Sequence, residues 1–330
     1  MDSEDIFQKF ANQHIIVVGD VMIDRYLSGS VSRISPEAPV PVVLQQSIED
    51  RLGGAANVAL NIQALGGTSH LCSVCGNDAE GRKLKDSILP ASGVSGEGII
   101  LSESRRTTIK TRVLANKQQM LRVDAEDTHD LSDADSQIVL QSLERMLDKY
   151  PVQAIIMQDY NKGVLSPFLI KEIIQLATKR GIFTAVDPKK DNFFAYKGVD
   201  LFKPNLKEVN ESCPFPVETN LASLENAASF LVTQINNRYT MLTLSEKGLF
   251  LKFNQPGELY PTTVRNIADV SGAGDTVISI ATMGLAAGLD VETVARLSNL
   301  AGGQVCEFPG VVPVNVSLLK TEFYNEKSFS

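Results

Sequence analysis

The chain has 330 residues, 43% of them hydrophobic, with a formal net charge of -8 and a pI near 5.1. That length accommodates one large α/β domain or two modest ones, each with a full core. The acidic balance argues against a nucleic-acid surface, and no apolar run reaches bilayer length, so neither nucleic acid nor a membrane is an expected partner.

In chain order, Met1 to Phe10 is acidic where a signal or transit peptide would be basic, which predicts a cytoplasmic protein. His14 to Gly19 is an apolar run ending in glycine, the form of a buried parallel strand. From Ala55 to Leu65, the residues Ala55, Val58, Ala59, Ile62 and Leu65 fall at helical spacing, and Gly66-Gly67 stops the helix. A strand near 69–75, a helix near 79–89 and a long helix near 132–149 follow. Next come a strand at 154–158, a helix at 167–180 and strands at 182–186 and 201–203. This alternation predicts a parallel sheet covered on both faces, with ligands gathered at the carboxyl ends of its strands. Residues 25–51 and 99–124 break the alternation and read as β-segments without helices of their own. They predict a small sheet beside the main domain, acting as a lid, and Pro36, Pro39 and Pro41 suit an edge or connector there. With no repeat, low-complexity stretch or flexible linker, the expectation is one domain over 1–330 carrying the lid as an insertion.

Cys72-Ser-Val-Cys75 has the spacing of a redox or zinc pair, but it sits in a predicted strand where residues three apart point to opposite faces. Without a second such pair or a nearby histidine cluster, Cys72, Cys75, Cys213 and Cys306 read as structural thiols. His14, His70 and His129 are scattered and read as structural or solvated.

The chemistry is concentrated in short motifs. Asp269-Val-Ser-Gly-Ala-Gly-Asp275 opens directly into an apolar helix, and a glycine-rich helix N-terminus can hold a phosphate. Gly272, Ala273 and Gly274 give close access to the main chain. Asp275 would repel a resting phosphate, yet it is well placed to take a proton from an attacking hydroxyl. An ordinary cap by Asp269 or Ser271 accounts for the segment equally well. Asp20 and Asp24, just beyond the first strand, suit either sugar hydroxyls or a turn. Gly53 and Gly54 permit close approach of a ligand or serve a tight loop, whereas Asn57 on a small apolar face favours the ligand. Asn205 and Glu208 share a face at a helix start, which suits Mg²⁺ held through water or a capping pair. Lys162, Lys189 and Lys190 stand at strand ends, for phosphate or simply solvated. The absence of a Walker A sequence excludes a P-loop kinase, and the absence of G-x-G-x-x-G after the first strand speaks against a dinucleotide dehydrogenase, a third alternative.

Taken in order, Gly53-Gly54-x-x-Asn57, Gly76-Asn-Asp78, Lys203-x-Asn205-x-x-Glu208 and Asp269-x-x-Gly-Ala-Gly-Asp275 resemble the PfkB, or ribokinase-like, carbohydrate kinases over nearly the whole chain. A finer set resembles the kinase domain of the ADP-heptose synthases: Gly19-Asp-Val-Met-Ile-Asp24, Ser32-Arg-Ile-Ser-Pro-Glu-Ala-Pro-Val-Pro-Val42, Asp159-Tyr-x-Lys-Gly-Val164 and Asp269-Val-x-Gly-Ala-Gly-Asp-Thr-Val277. The resemblance implies a ribokinase-like three-layer α/β/α sandwich with a mainly parallel sheet and a small β-sheet lid. It further implies ATP and Mg²⁺, phosphorylation of O1 of D-glycero-β-D-manno-heptose 7-phosphate, and a place in ADP-heptose and lipopolysaccharide core synthesis.

By the same resemblance, Asp275 is the base and the amides of Gly272, Ala273 and Gly274 steady the transferred group. Asn205, Leu206, Lys207 and Glu208 lie at the triphosphate, with Asn205 and Glu208 toward Mg²⁺, and Thr243, Ser245 and Gly248 approach the nucleoside. Asp20, Asp24, Gly53, Gly54 and Asn57 face the sugar, and Arg33, Lys110 and Arg112 of the lid are the cations offered to its phosphate. A homodimer through the lid is implied as well. Two positions depart from the pattern: Ser271 stands where threonine is usual, and Asn161 where glycine is usual. The bifunctional synthases also carry a nucleotidyltransferase domain; none is read in this chain, so adenylyl transfer is expected of a separate protein. A kinase for another sugar or nucleoside, or a non-catalytic sugar or nucleotide sensor on the same fold, remain the alternatives.

Overall fold

The computed structural model describes residues 3–328 other than 117 and 264. Helix α1 (Ser3–Ala11) leads into strand β1 (His14–Gly19), whose side chains alternate between two cores. Ile15 and Val17 enter one core, Ile16 and Val18 the other, as a strand buried on both faces requires. The acidic start of the chain is therefore an amphipathic helix, burying Ile6, Phe7 and Phe10.

A long hairpin follows, β2 (Val21–Ile34) and β3 (Pro41–Gly54), then α2 (Ala55–Ala64) and β4 (Thr68–Gly76). Short helix α3 (Ala79–Lys83) runs through a π-turn at Leu84–Ile88 into α4 (Leu89–Ala91). Then come β5 (Ile99–Ser102), β6 (Ile109–Ala115), β7 (Gln118–Ala125), α5 (Asp133–Lys149) and β8 (Val152–Gln158). Next are α6 (Pro167–Arg180), β9 (Phe183–Asp187), β10 (Leu201–Phe202), α7 (Leu206–Ser212) and α8 (Leu221–Ile235). The chain closes with β11 (Tyr239–Thr243), β12 (Leu249–Lys252), β13 (Glu258–Tyr260), α9 (Ala273–Ala286), α10 (Val291–Val305) and α11 (Val316–Ser328).

Nine strands form the main sheet in the order β13-β12-β11-β10-β9-β8-β1-β4-β5. It is parallel from β5 to β11, and β12 and β13 extend it antiparallel. Helices α1, α2, α9, α10 and α11 cover one face; α5, α6 and α8 cover the other. The result is the expected three-layer α/β architecture. Cys75 lies in the first core and Cys72 in the second, and burial pushes both thiols up to about 12, so neither is a ready thiolate.

The smaller sheet has the order β3-β2-β6-β7. Pro36 and Pro39 fall in the β2–β3 connection and Pro41 begins the edge strand β3, where no ladder hydrogen bond is lost. One boundary needs correction: residues 99–102 form the edge strand of the main sheet, pairing with Ser73 to Gly76. Strands β2 and β3 reach down to Val21 and Gly54, so the small sheet is rooted at the end of β1.

Helix α9 is buried from Asp275 to Leu285 and packs between α2 and α10. Its Thr276 hydroxyl donates to Asn61 Oδ1 at 3.1 Å, and its Ser279 hydroxyl to the Asp275 carbonyl at 2.7 Å. Thr276 and Ser279 are thereby satisfied within the contact, whereas the buried Thr282 hydroxyl finds no partner among the described residues. No helix among the described residues is long and apolar enough to cross a membrane.

Candidate active site

The amino end of α9 meets the carboxyl ends of β1, β8, β9 and β10, the place where a parallel sheet presents ligands. Asp275, 3% exposed in the first turn, is the convergence point. Its Oδ2 accepts from Asn57 Nδ2 at 2.8 Å; its Oδ1 accepts from Gln158 Nε2 at 3.1 Å and from the Tyr160 hydroxyl at 2.8 Å. Burial pushes this carboxyl up to about 6, and the donors from Asn57 and Tyr160 work against that rise. The group is a buried carboxylate held in one orientation by neutral donors.

The turn before it is open to an anion. Gly272 sits at φ +83°, and a Cβ there would stand 2.9 Å from Asn57 Nδ2, so glycine meets both the left-handed backbone and the close approach. No side chain caps α9. Asp269, one of the two caps considered from the sequence, instead accepts from the amides of Ser271 at 2.9 Å and Gly310 at 3.0 Å. Of the three amides expected to face a phosphoryl group, that of Ala273 also makes a long bond of 3.4 Å to the Val270 carbonyl.

Behind the turn lies a chain of charges. Lys203, 2% exposed, pairs with Asp187 at 3.0 Å. Gln158 Nε2 bridges Asp187 Oδ2 at 3.3 Å and Asp275, keeping two carboxylates in one network. Burial acts to raise the Asp187 pKa, but Lys203 and Lys189 bring it below the usual carboxylate range. Lys189 also pairs with Glu208. Asn205 and Glu208 form a capping box on α7: Glu208 N donates to Asn205 Oδ1 at 2.9 Å and Asn205 N to Glu208 Oε2 at 2.8 Å. An isolated parallel bridge pairs Asn205 with Thr243, so the two segments expected at the nucleotide are neighbours. Leu206 packs on the second core and Lys207 is exposed, paired with Glu211. Ser245 opens a 3-10 turn at φ +55° that Gly248 closes against Tyr260.

The profile of pfkB family carbohydrate kinases matches residues 12–316 of this sequence. The chain belongs to the pfkB family of carbohydrate kinases. Among curated relatives, the bifunctional protein HldE of Methylobacillus flagellatus is 42% identical over 315 residues, 95% of this chain and 64% of that protein. The bifunctional protein HldE of Desulfatibacillum aliphaticivorans is 38% identical over 96% of this chain and 64% of its own length. The chain thus spans under two thirds of these relatives. Among solved structures, phosphofructokinase-2 from Escherichia coli superposes with a TM-score of 0.77 at 20% identity, covering 96% of this chain and 99% of that one. Arabidopsis thaliana ribokinase, complexed with ribose and ATP, gives 0.72 at 16% identity, covering 94% and 98%. These likenesses establish the fold.

A second group of the residues expected at the site gathers where the small sheet meets β1. Asp24 is buried there and paired with Arg112, and a Cβ on Gly53 would come within 2.1 Å of Asp24 Oδ2. Gly54, at φ +60°, caps α2 beside the Asp20 carbonyl. Asn57 is fully buried and spends one amide hydrogen on Asp275. Lys110, half-buried with its pKa lowered by burial, makes no ion pair among the described residues; its Nζ lies 5.3 Å from the centre of the Tyr160 ring.

Two expected acceptor residues do not join this cluster. Asp20 accepts from the amides of Tyr160 at 2.8 Å, Lys162 at 3.1 Å and Val164 at 3.1 Å, which matches the turn-forming reading. Arg33 is exposed near the outer end of β2, about 30 Å along the strand from Asp24 at ~3.3 Å per residue. At the departure from the family pattern, Asn161 adopts φ +54°, so the turn forms with asparagine. Tyr160, Gln158, Asp187 and Lys203 were not among the site residues expected from the sequence. Tyr160 and Lys203 belong to motifs that carry the resemblance but were given no role there; for Gln158 and Asp187 the signal was position, at the carboxyl end of a strand.

Proposed function

We propose that this chain transfers the γ-phosphoryl group of ATP to the anomeric hydroxyl of D-glycero-β-D-manno-heptose 7-phosphate. The observation that carries the chemistry is Asp275, a buried carboxylate at an uncapped, glycine-rich helix N-terminus. The sugar hydroxyl gives its proton to Asp275 as its oxygen bonds to the γ-phosphorus; the bond to the bridging oxygen breaks and ADP leaves. The amides of Gly272, Ala273 and Gly274 stand where charge builds on the transferred group. Asn205 and Glu208 suit a hydrated Mg²⁺ held through water, since each carboxylate oxygen of Glu208 already accepts one hydrogen bond and keeps one lone pair. When bound, Mg²⁺ supplies neutralisation of the nucleotide phosphates. Gly248, which with Thr243 and Ser245 we assign to the nucleoside, backs onto Tyr260 and Pro261, and these line a cavity with Glu292 and Asn299 that supports the assignment.

The choice of acceptor rests on the motifs shared with ADP-heptose synthases and on the HldE relatives. Lys110 is the cation we assign to the acceptor's own phosphate, because Arg112 is committed to Asp24. Only the kinase step is assigned to these residues, and a cytoplasmic reaction suits ATP as donor. The test is ADP release with ATP, Mg²⁺ and the heptose 7-phosphate, beside ribose, fructose 6-phosphate and adenosine. Turnover only with one of the other acceptors would retain the family and overturn the substrate.

We further propose a homodimer through the small sheet, which would serve as the lid. Ile48, Leu27, Val113 and Leu121 align across its four strands on the face opposite Asp24, and Ile48, Leu121 and Val123 are about half exposed or more. An apolar stripe of that kind invites a second copy. Leu121→Asp is expected to convert a dimer to a monomer in sedimentation velocity; a wild-type protein sedimenting as a monomer would sink the idea.

A further inference from the structure

One residue touches the base, the small sheet and the nucleotide side together. The Tyr160 hydroxyl donates to Asp275 Oδ1 at 2.8 Å. Its ring lies 5.3 Å from the Nζ of Lys110, on β6, and 5.5 Å from the Nζ of Lys189, beyond β9. Its backbone amide is fixed by Asp20, which gathers the whole 160–164 turn. A tyrosine that merely filled space would need neither the hydroxyl contact nor the two cations.

We propose that Tyr160 is the positioning residue of this phosphotransfer: its hydroxyl holds Asp275 ready to accept the sugar proton, and its ring stations Lys110 for the acceptor's phosphate. This rests on the reading of Asp275 as base. A hydrogen bond donated to a carboxylate favours the ionised form, so its loss makes Asp275 harder to ionise. The charged groups around Asp275 on the neighbouring elements are Asp187 on β9, Lys203 after β10 and Lys189 after β9; Asn57 and Gln158 contribute neutral donors. None is altered by Tyr160→Phe, so a changed titration reports the hydroxyl. Preorganising a lysine with an aromatic face lowers the ordering cost at binding, which places the ring's effect on KM for the acceptor.

The experiment compares wild type with Tyr160→Phe, which keeps the ring, and Tyr160→Leu, which loses both features. Carboxyl carbon NMR of Asp-labelled protein, with Asp275→Asn for assignment, follows Asp275 without any substrate. In Tyr160→Phe the Asp275 midpoint is expected to move up by about one pH unit, the order set by one hydrogen bond to a charged group. The acid limb of kcat should move with it while KM for the acceptor stays within about twofold. Tyr160→Leu should shift the midpoint equally and raise that KM at least about fivefold. A Phe variant with the wild-type midpoint overturns the role of the hydroxyl; a Leu variant with the KM of the Phe variant overturns the role of the ring. Failure of the base reading looks different: Asp275→Asn would then keep its turnover whatever the titration shows.

Discussion

Asp275→Asn is expected to lower kcat by about 10²–10⁴-fold, the range for loss of a positioned general base, with KM values little changed. The amide nearly matches the carboxylate in shape and leaves the buried helix α9 and its contacts with α2 in place. It cannot take the proton. The wild-type pH profile follows from the same group. Burial brings Asp275 up to about 6, so the ionised base predominates above that pH and is lost below it. The kcat of wild type should thus be level near pH 8 and fall about tenfold per unit well below 6, and residual turnover of the variant should lack that limb. Steady-state ADP release between about pH 5 and 8.5 makes the comparison. Turnover of the variant within threefold of wild type would remove Asp275 from the mechanism.

Lys203→Met should cost about 3–5 kcal/mol of stability, the penalty for leaving a buried charge without its partner. Lys203 is 2% exposed and Asp187 5%, so water cannot replace the lost ammonium. Gln158 and the more distant Lys189, 3.7 Å away, are the polar side chains left to Asp187 in this network. At about 2 °C per kcal/mol for a chain of this size, the thermal midpoint should drop by roughly 6–10 °C in scanning calorimetry. Adding Asp187→Asn should recover part of the loss, because the two effects share one interaction. A midpoint within 1 °C of wild type for Lys203→Met would refute the account.

What the sequence disclosed followed locality. Strands such as His14 to Gly19 and helices such as 167–180 announce themselves because a buried element writes its apolar pattern over consecutive residues. The Gly-Ala-Gly-Asp turn is equally local, and helix α9 starts where the sequence placed a helix. The capping pair at Asn205 and Glu208 was also legible, since its two hydrogen bonds join residues three apart. Beyond Lys203 the sequence reading placed only the helix starts at Asn205 and Asp275, and α8, α10, α11 and the antiparallel β12 and β13 come from the structure. In α10, the run Ala301-Gly-Gly-Gln304 gives little apolar signal, although Ala301 and Gly302 are buried against neighbours.

The site residues that escaped share a different cause. Gln158 lies 29 residues from Asp187 and 117 from the expected Asp275, and they meet only because strands and helix converge. Whether Asp20 faces a sugar or three loop amides depends on how closely residues 160–164 approach, which no spacing records. Arg33 illustrates the converse: a cation in the right segment, carried out of reach by the length of its strand.

That strand has a mechanical side. Fourteen residues of β2 run from the floor of the site to Ile34, a rod of about 45 Å at ~3.3 Å per residue, bent where its register shifts near Gly29 and Arg33. Its root is pinned at Asp24 by Arg112, while its tip stands free of the body of the protein. A rod of that proportion is a lever: a tilt of about ten degrees about Asp24 sweeps the tip, about 33 Å away, through about 6 Å. Whatever grips the tip therefore reads, magnified, small events at Asp24, and a load applied there reaches Asp24 reduced in amplitude and increased in force.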